Sequence, residues 1–318
     1  MNLPKQEIQD IIEIFNEIPD EEFKSNPIRL LTIIYTLKNT GLTNKEIALT
    51  APIINQIIDS LQFLPQTILQ GPPGTGKTRL AKIIANFIVN GTLSDKITQN
   101  KNQIKIIQFH PGYSYDDFIR GMEVSTNQGQ LNYNYVDKTL IDIAYRAKND
   151  SDNPYFLIID EINRAELHSV LGELIYALEY RGEDIELLYP DSSGNRTFSL
   201  PPNLYIIGTM NTADRSTEPI DYAIRRRFTF HFIKAQQDFA NDKQKFQEAN
   251  DIVKNKNYIA PDYDYEDFAI GHSYFIGSSQ EINKKIRYQV KPILKEYLKD
   301  GILNFSKKDE IIKEINKL

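Results

Sequence analysis

Eight consecutive residues have the types and spacing of a loop that binds phosphate. In chain order they are Gly71, Pro72, Pro73, Gly74, Thr75, Gly76, Lys77 and Thr78. Glycines let such a loop curl until its backbone N–H groups point at phosphate oxygens, and a following helix adds its positive N-terminal end. Lys77 is then expected to reach the β and γ phosphates, and Thr78 to ligate Mg²⁺. Together with the adjacent Arg79, the pattern predicts a site for a Mg²⁺–nucleotide.

The residues on either side of this loop decide between a binding site and a chance glycine turn. Apolar residues 67–70 precede the loop with the pattern of a buried strand, and residues 79–89 follow it with helical periodicity. A strand, this loop and a helix, in that order, are the context in which the motif binds phosphate. We therefore favour the binding site.

Two carboxylates, Asp160 and Glu161, follow the apolar run of residues 156–159. Ligands of open α/β sheets bind at the carboxyl ends of the strands, where these two side chains are expected to lie. Asp160 is predicted to hold Mg²⁺ through water, and Glu161 to polarise the attacking water as a general base. Alone, two acids after a strand equally fit a solvated turn, but the phosphate loop upstream favours the catalytic interpretation.

Another apolar strand, residues 204–210, ends at a polar amide, Asn211. At that position the amide is suited to hold a water molecule against the γ-phosphate of a nucleotide. The alternative is that Asn211 and Asp214 only cap a turn, as Asn and Asp often do. We favour the functional role for Asn211 because of its position at the end of the strand.

Three consecutive arginines, Arg225, Arg226 and Arg227, come before the strand-like residues 228–232. Such a run is usually a solvated face. In a nucleoside triphosphatase that forms a ring, however, one arginine can reach the γ-phosphate bound by a neighbouring subunit. The residues by themselves leave these two interpretations equal.

The pattern along the chain predicts an α/β fold in which helices flank a parallel sheet. Strands are expected at residues 67–70, 104–109, 155–160 and 204–210, and helices at residues 79–89, 140–148 and 165–180. A β-hairpin insertion is expected within residues 185–200, around the turn residues 191–195. We divide the chain into a helical segment (1–63), a nucleotide-binding core (64–236) and a mainly helical lid (237–318). In the first segment, Thr43 and Glu46 predict a capping box that opens a short helix.

The composition excludes several other kinds of chemistry. The 318 residues include no cysteine, so disulfides, thiolate zinc sites and cysteine nucleophiles are excluded. A formal net charge of -6 argues against a surface that binds nucleic acid as a whole. No apolar run is long enough for a membrane helix, and the first 20 residues lack the pattern of a signal peptide. We therefore expect a cytoplasmic protein without a membrane partner.

Several blocks of residues point to a known family. After Asp160 and Glu161 the chain reads Ile-Asn-Arg-Ala, and after Met210 it reads Asn-Thr-Ala-Asp-Arg-Ser. With the phosphate loop and residues 109–118, 225–228 and 271–275, these blocks resemble the McrB family. Its members are AAA+ GTPase subunits of McrBC modification-dependent restriction systems. The resemblance extends from residue 64 to residue 275.

The resemblance implies an AAA+ ring, expected to contain six subunits, with nucleotide sites between protomers. It implies Mg²⁺ as cofactor and GTP, rather than ATP, as substrate, a choice of base that the residues alone do not make. It assigns a catalytic signature to Asn211, Asp214 and Arg215, and the arginine finger to one of residues 225–227. A McrC-like nuclease subunit is the implied partner that stimulates hydrolysis.

The chain also departs from the family pattern. McrB proteins commonly carry a separate domain that recognises modified DNA, whereas here the residues before the phosphate loop read as a short helical segment. DNA is therefore expected to be contacted through the complex. We find no cluster of carboxylates and lysine typical of a nuclease, and no sensor arginine near residues 271–275. The alternative function is a remodelling chaperone similar to MoxR proteins, which acts on protein clients.

Overall fold

The structure, a computed structural model, describes residues 5–18, 26–127, 130–214 and 220–318. The strands are β1 (Gln66–Gly71), β2 (Ile104–Gln108), β3 (Arg120–Asn127), β4 (Gln130–Asp137), β5 (Tyr155–Asp160), β6 (Ile185–Glu186), β7 (Thr197–Phe198), β8 (Leu204–Asn211) and β9 (Thr229–Phe232). Five of them form the main sheet, in the order β2-β5-β8-β1-β9. All four strands predicted for this sheet are present, and the predicted α/β fold class is confirmed.

The register of the sheet explains why polar residues gather at one edge. β5 pairs in parallel with β2 on one side and with β8 on the other. Gln108 lies opposite Asp160, and Ile159 lies opposite Gly208. Because these strands run in the same direction, their carboxyl ends meet at the same edge. β5 is buried from Tyr155 to Ile159, as expected of an apolar strand covered on both faces.

Helices account for most of the remaining chain. They are α1 (Lys5–Glu17), α2 (Pro27–Lys38), α3 (Asn44–Phe63), α4 (Lys77–Asn90), α5 (Tyr115–Phe118), α6 (Thr139–Asn149), α7 (Leu167–Leu171), α8 (Leu174–Glu179), α9 (Tyr222–Arg225), α10 (Lys243–Lys254), α11 (Tyr265–Phe268), α12 (Ser279–Lys285), α13 (Lys291–Lys299) and α14 (Lys308–Lys317). A π-helical turn, Ile286–Val290, connects α12 to α13. None of the helices in the described residues is long and apolar enough to span a membrane.

Two of the predicted helices differ from the observed ones. The single helix expected at residues 165–180 is divided into α7 and α8, because Gly172 has a φ of +49° that an α-helix cannot contain. The short helix expected after Thr43 is instead the 20-residue α3, which continues through Pro52. Its predicted capping box between Thr43 and Glu46 is confirmed.

Two hairpins accompany the sheet. β6 and β7 pair antiparallel, which confirms the insertion predicted within residues 185–200. The longer hairpin, in which β3 and β4 pair antiparallel over their whole lengths, was not predicted. Serine, threonine, asparagine and glutamine occupy many of its positions, so the alternation of apolar and polar residues that indicates a strand is weak.

The chain divides into two compact units. The first comprises Met1–Leu69, Thr78–Met210 and Ser216–His231, and the second comprises Gln70–Lys77, Asn211–Arg215 and Phe232–Leu318. In the first unit, one core contains the buried residues of β5, β8, α6, α7 and α8. In the second unit, a separate core joins residues of α10 and α12–α14. The domain boundaries drawn from the sequence, at residues 63/64 and 236/237, remain predictions.

Candidate functional site

The phosphate loop continues from β1 and ends at Lys77, the first residue of α4. The side chain of Lys77 is buried, and its Nζ donates hydrogen bonds to the carbonyl oxygens of Gly71 (2.9 Å) and Pro72 (2.8 Å). Thr75 Oγ1 also donates to the carbonyl oxygen of Pro72, at 3.0 Å. The loop therefore curls around a buried ammonium group, an arrangement that suits anionic phosphate oxygens.

Residues of the lid pack directly on this loop within the second unit. Gly74 has a φ of +80°, and a Cβ at this position would lie 2.6 Å from the ring of Tyr274. A Cβ on Gly271 would lie 2.2 Å from the carbonyl carbon of Gly74. Backbone N–H groups of Gly271 and Ser273 donate to the carbonyl oxygens of Pro73 (3.2 Å) and Gly74 (3.0 Å). Glycine is needed at both positions, because a Cβ would meet the Tyr274 ring at Gly74 and the backbone of the loop at Gly271.

Within the first unit, Asp160 at the end of β5 accepts hydrogen bonds from two threonine hydroxyls. Thr78 Oγ1, in the first turn of α4, donates to Asp160 Oδ1 at 2.5 Å. Thr209 Oγ1, near the end of β8, donates to the same oxygen at 2.6 Å. Hydroxyl and carboxylate oxygens are ligands that Mg²⁺ prefers, so Thr78 and Asp160 fit a magnesium ion.

Glu161 has a backbone conformation that is rare for a residue with a side chain. Its φ of 54° and ψ of 48° lie in the left-handed helical region. Such a conformation costs roughly 1–2 kcal/mol for a non-glycine residue. The N–H of Glu161 donates to Thr209 Oγ1 at 3.3 Å, and its carboxylate lies 3.5 Å from Arg164 Nε. Thr209 therefore contacts both acidic residues, through the side chain of Asp160 and the backbone of Glu161.

The signature residue Asn211 is the last residue of β8 and Asp214 follows three positions later; both are in the second unit and partly buried. The intervening Thr212 connects them to the phosphate loop, because its N–H donates to the carbonyl oxygen of Gly71 at 3.1 Å. Its Oγ1 donates to the carbonyl oxygen of Asp267 at 2.8 Å. Burial, with smaller contributions from Tyr274 and Asp214, raises the pKa of Tyr297, so its hydroxyl stays protonated. Arg215 lies outside the described residues.

The three arginines differ in their surroundings, all within the first unit. Arg227 is buried, and its Nη2 lies 2.7 Å from Glu179 Oε2. Arg226 is 64% exposed, and its Nη2 donates to the same oxygen at 3.0 Å. The exposed guanidinium of Arg225 lies over the ring of Phe230, 4.8 Å from its centre. Arg227 is thus buried, whereas Arg225 and Arg226 are exposed.

Two residues of this region, Thr209 and Glu179, were not predicted from the sequence. Thr209 is a polar residue within an apolar strand, which is a weak signal for a role at the strand end. Glu179 gave no signal, because its pairing with the arginines depends on the tertiary fold. Arg79, predicted to bind nucleotide, has a side chain that is 67% exposed and lies 3.2 Å from Asp95 Oδ2. Its role in nucleotide binding stays a prediction.

Two sequence families match the chain. The family described as AAA domain (dynein-related subfamily) matches residues 66–228, which include the whole main sheet except β9. The family described as McrB, alpha-helical lid domain, matches residues 246–303 in the second unit. The first match covers more than half of the chain.

Similar proteins carry names from restriction systems. The "Type IV methyl-directed restriction enzyme EcoKMcrB subunit" of Escherichia coli K12 is 36% identical over 276 residues, 78% of this chain and 57% of that protein. The "Type II restriction enzyme BsuMI component YdiS" of Bacillus subtilis 168 is 27% identical over 213 residues, 56% of this chain and 60% of that protein. The chain thus spans less than two thirds of either relative. A crystal structure from Cytophaga hutchinsonii, 16% identical, aligns with 98% of this chain and 76% of its own at a TM-score of 0.37, too low to indicate a shared arrangement.

Proposed function

Since this chain belongs to the AAA domain family and is a McrB-like AAA+ subunit, we propose that it hydrolyses a nucleoside triphosphate for a restriction complex. The observation that carries this proposal is the hydrogen-bonded group at the end of β5. There Asp160 accepts hydrogen bonds from Thr78 and Thr209, immediately before the strained backbone of Glu161. A strained residue next to side chains that suit Mg²⁺ is more consistent with catalysis than with a solvated turn.

Each residue of the proposed site has a distinct task. Lys77 binds the β and γ phosphates, and Asn211 orients the attacking water. Glu161 accepts a proton from that water as the general base. Thr78 and Asp160 would hold Mg²⁺, which would supply positive charge to the phosphate oxygens.

We propose that the arginine finger acts between subunits of a ring, for which six subunits are expected from the family. Arg226 and Arg225 are exposed on the surface of the first unit, whereas Arg227 is buried against Glu179. An exposed guanidinium is able to reach a phosphate bound by a neighbouring subunit, and a buried one is not. The finger is therefore assigned to one of the two exposed arginines.

The substrate base, the nuclease and the DNA contact are further parts of the proposal. We propose GTP as the substrate and a McrC-like nuclease subunit as the partner, both by analogy with the McrB family. DNA would be cleaved by that second subunit and contacted through the complex. The match of residues 246–303 to a McrB lid favours this restriction role over a MoxR-like chaperone.

The test is turnover of GTP and of ATP by the wild type and by Glu161→Gln, with and without the nuclease partner. We expect the variant to lose about 100-fold or more of the wild-type rate, because the general base is removed. The matched control is Glu186→Gln, the same change at a carboxylate that is 77% exposed on β6. The control should hydrolyse at the wild-type rate.

Two results would contradict parts of the proposal. Absence of turnover under every condition, or equal rates for the wild type and Glu161→Gln, would remove the catalytic function. The preference for guanine over adenine is tested by displacing labelled GTP from the purified protein with unlabelled ATP. Tighter binding of ATP than of GTP would show that the GTP assignment is wrong while leaving hydrolysis intact.

A further inference from the structure

A single carboxylate, that of Glu179, holds two of the three arginines. Its Oε2 lies 3.0 Å from Nη2 of Arg226 and 2.7 Å from Nη2 of Arg227. Glu179 is the last residue of α8, where the helix dipole disfavours a negative charge. The ion pairs with the two arginines therefore account for a carboxylate at this position, whereas the stability of its own helix does not.

We propose that Glu179 is a positioning residue for Arg226, and that Arg226 is the arginine that acts on the nucleotide of a neighbouring subunit. This inference rests on the proposed function. Glu179 holds the guanidinium of Arg226 at the surface, so that the side chain does not sample its many other rotamers before subunits meet. Positioning of this kind lowers the entropic cost of reaching the phosphate.

The other two arginines have contacts that suit different tasks. Arg227 is fixed at both ends, because its Nη1 donates to the carbonyl oxygen of Ala223 at 2.5 Å and its own carbonyl oxygen accepts from Gln66 Nε2 at 2.7 Å. Arg225 lies over the ring of Phe230, which holds it by a cation–π contact. Arg226 is left as the arginine whose side-chain contact is a charged partner at the surface.

The shared carboxylate also allows Arg226 to leave without stranding a charge. When Arg226 moves to a phosphate, Glu179 keeps its ion pair with the buried Arg227. The buried guanidinium of Arg227 therefore keeps its counter-charge, and losing that counter-charge would be costly. Arg227 is thus the permanent ion-pair partner of Glu179, and Arg226 is the partner that can leave.

The experiment begins with Glu179→Gln, which keeps a hydrogen-bond acceptor but removes the charge. Because Arg227 then lacks a counter-charge, the variant is also made together with Arg227→Met, and Arg227→Met alone is the reference. We expect Glu179→Gln to lower kcat by about 10- to 100-fold in either background, with KM unchanged, because the phosphate-binding residues are untouched. A fall in the thermal midpoint without a fall in kcat would show a structural role only and overturn the proposal.

Mixing of subunits then separates an effect on the neighbour from an effect within the subunit. Glu179→Gln subunits retain Glu161, and Glu161→Gln subunits retain Glu179 and Arg226, so a mixed ring contains sites with every group intact. Turnover by the equimolar mixture above that of either variant alone supports the proposal. As a reference, Arg226→Ala subunits are mixed with Glu161→Gln subunits in the same way.

Two outcomes of the mixing would overturn the inference. Recovery with Arg226→Ala but not with Glu179→Gln would show that Glu179 acts inside its own subunit. No recovery in either mixture, while the wild type hydrolyses nucleotide, would show that Arg226 does not act on a neighbour. The proposed function survives both outcomes and fails only if the wild type itself has no turnover, which would remove this inference as well.

Discussion

The end of β5 and the arginine run that begins at the end of α9 carry opposite charges for the same proposed reaction, yet they are held in different ways. Asp160 accepts hydrogen bonds from two threonine hydroxyls, that of Thr78 on α4 and that of Thr209 on β8. Arg226 has 64% of its side chain exposed and depends on the single carboxylate of Glu179. The Asp160 carboxylate is therefore held by two hydroxyl groups at the edge of the sheet, whereas the Arg226 guanidinium is held by one carboxylate.

The difference fits the tasks proposed for the two regions. Groups that act on the nucleotide of their own subunit gain from a rigid sheet edge, because nothing needs to move before they engage. A group that acts on a neighbour must lie at the surface and exchange one partner for another. Variants at the first region should therefore damage their own site, and variants at the second should damage the neighbouring one.

The largest effects are expected for Lys77→Ala and Arg226→Ala. The first variant should lose nucleotide binding, and the second should lose turnover. Lys77→Ala removes the ammonium that is proposed to contact the phosphates and should weaken nucleotide binding by about 100-fold, measured with a fluorescent nucleotide. Arg226→Ala should bind the same nucleotide as the wild type does, yet lose about 1000-fold in turnover at saturating nucleotide. Weakened binding by Arg226→Ala would place this residue in its own subunit's site and break the comparison.

A smaller effect is expected for Thr209→Val, which keeps the shape of the side chain and removes its hydroxyl. Asp160 and the backbone of Glu161 then each lose one hydrogen bond. A hydrogen bond to a charged group contributes about 1.5–3 kcal/mol, so kcat should fall by about 10-fold or more. Thr209→Ser, the matched control, retains the hydroxyl and should stay within about threefold of the wild type. Equal rates for valine and serine would mean that the hydroxyl does not support the acidic pair.

The smallest expected effect on turnover concerns His231 of β9, whose Nε2 lies 2.8 Å from Ser60 Oγ on α3. Burial lowers the pKa of His231 to about 4. In the unfolded chain the pKa is about 6.5, so between these values the unfolded state binds a proton that the folded state does not. The free energy of unfolding should therefore fall as the pH falls from about 6.5 towards 4, by up to about 3 kcal/mol.

Urea unfolding at several pH values checks this pH dependence. The His231→Gln variant lacks the titrating group and should show a smaller loss of stability over the same pH range. Parallel curves for the wild type and the variant would contradict the role of His231. Since α3 and β9 lie outside the acidic strand end, turnover of the variant at neutral pH should equal that of the wild type.

Much of the sheet and its polar edge was predictable, because the evidence for them is local in sequence. The apolar run of β5 is bounded by Asp160, and that of β8 by Asn211, so each strand and its end are visible in the same few residues. The phosphate loop is likewise contiguous. The resemblance to the McrB family, which the comparisons confirm, then supplied what short motifs lack, the identity of the branch within the AAA+ class.

The features that escaped prediction depend on contacts between distant residues. Glu179 and Arg226 are 47 positions apart, and no spacing rule connects them. In α1 the isoleucines recur on more than one face, and Ile8 and Ile12 are 42% and 43% exposed whereas Ile14 is buried. Periodicity indicated the helix but did not decide which face its neighbours cover.

The contact between Gly74 and Gly271 couples the phosphate loop mechanically to the lid. Side chains absorb small displacements by changing rotamer, but a Cβ on Gly271 would meet the backbone of Pro73 and Gly74, which has no rotamer to change. A shift of the lid at Gly271 would therefore press on the backbone of the loop directly, and the hydrogen bonds from the N–H groups of Gly271 and Ser273 to Pro73 and Gly74 join the two segments. Any event that moves the lid, such as a partner docking on it, would reach the phosphates without a relay of side chains.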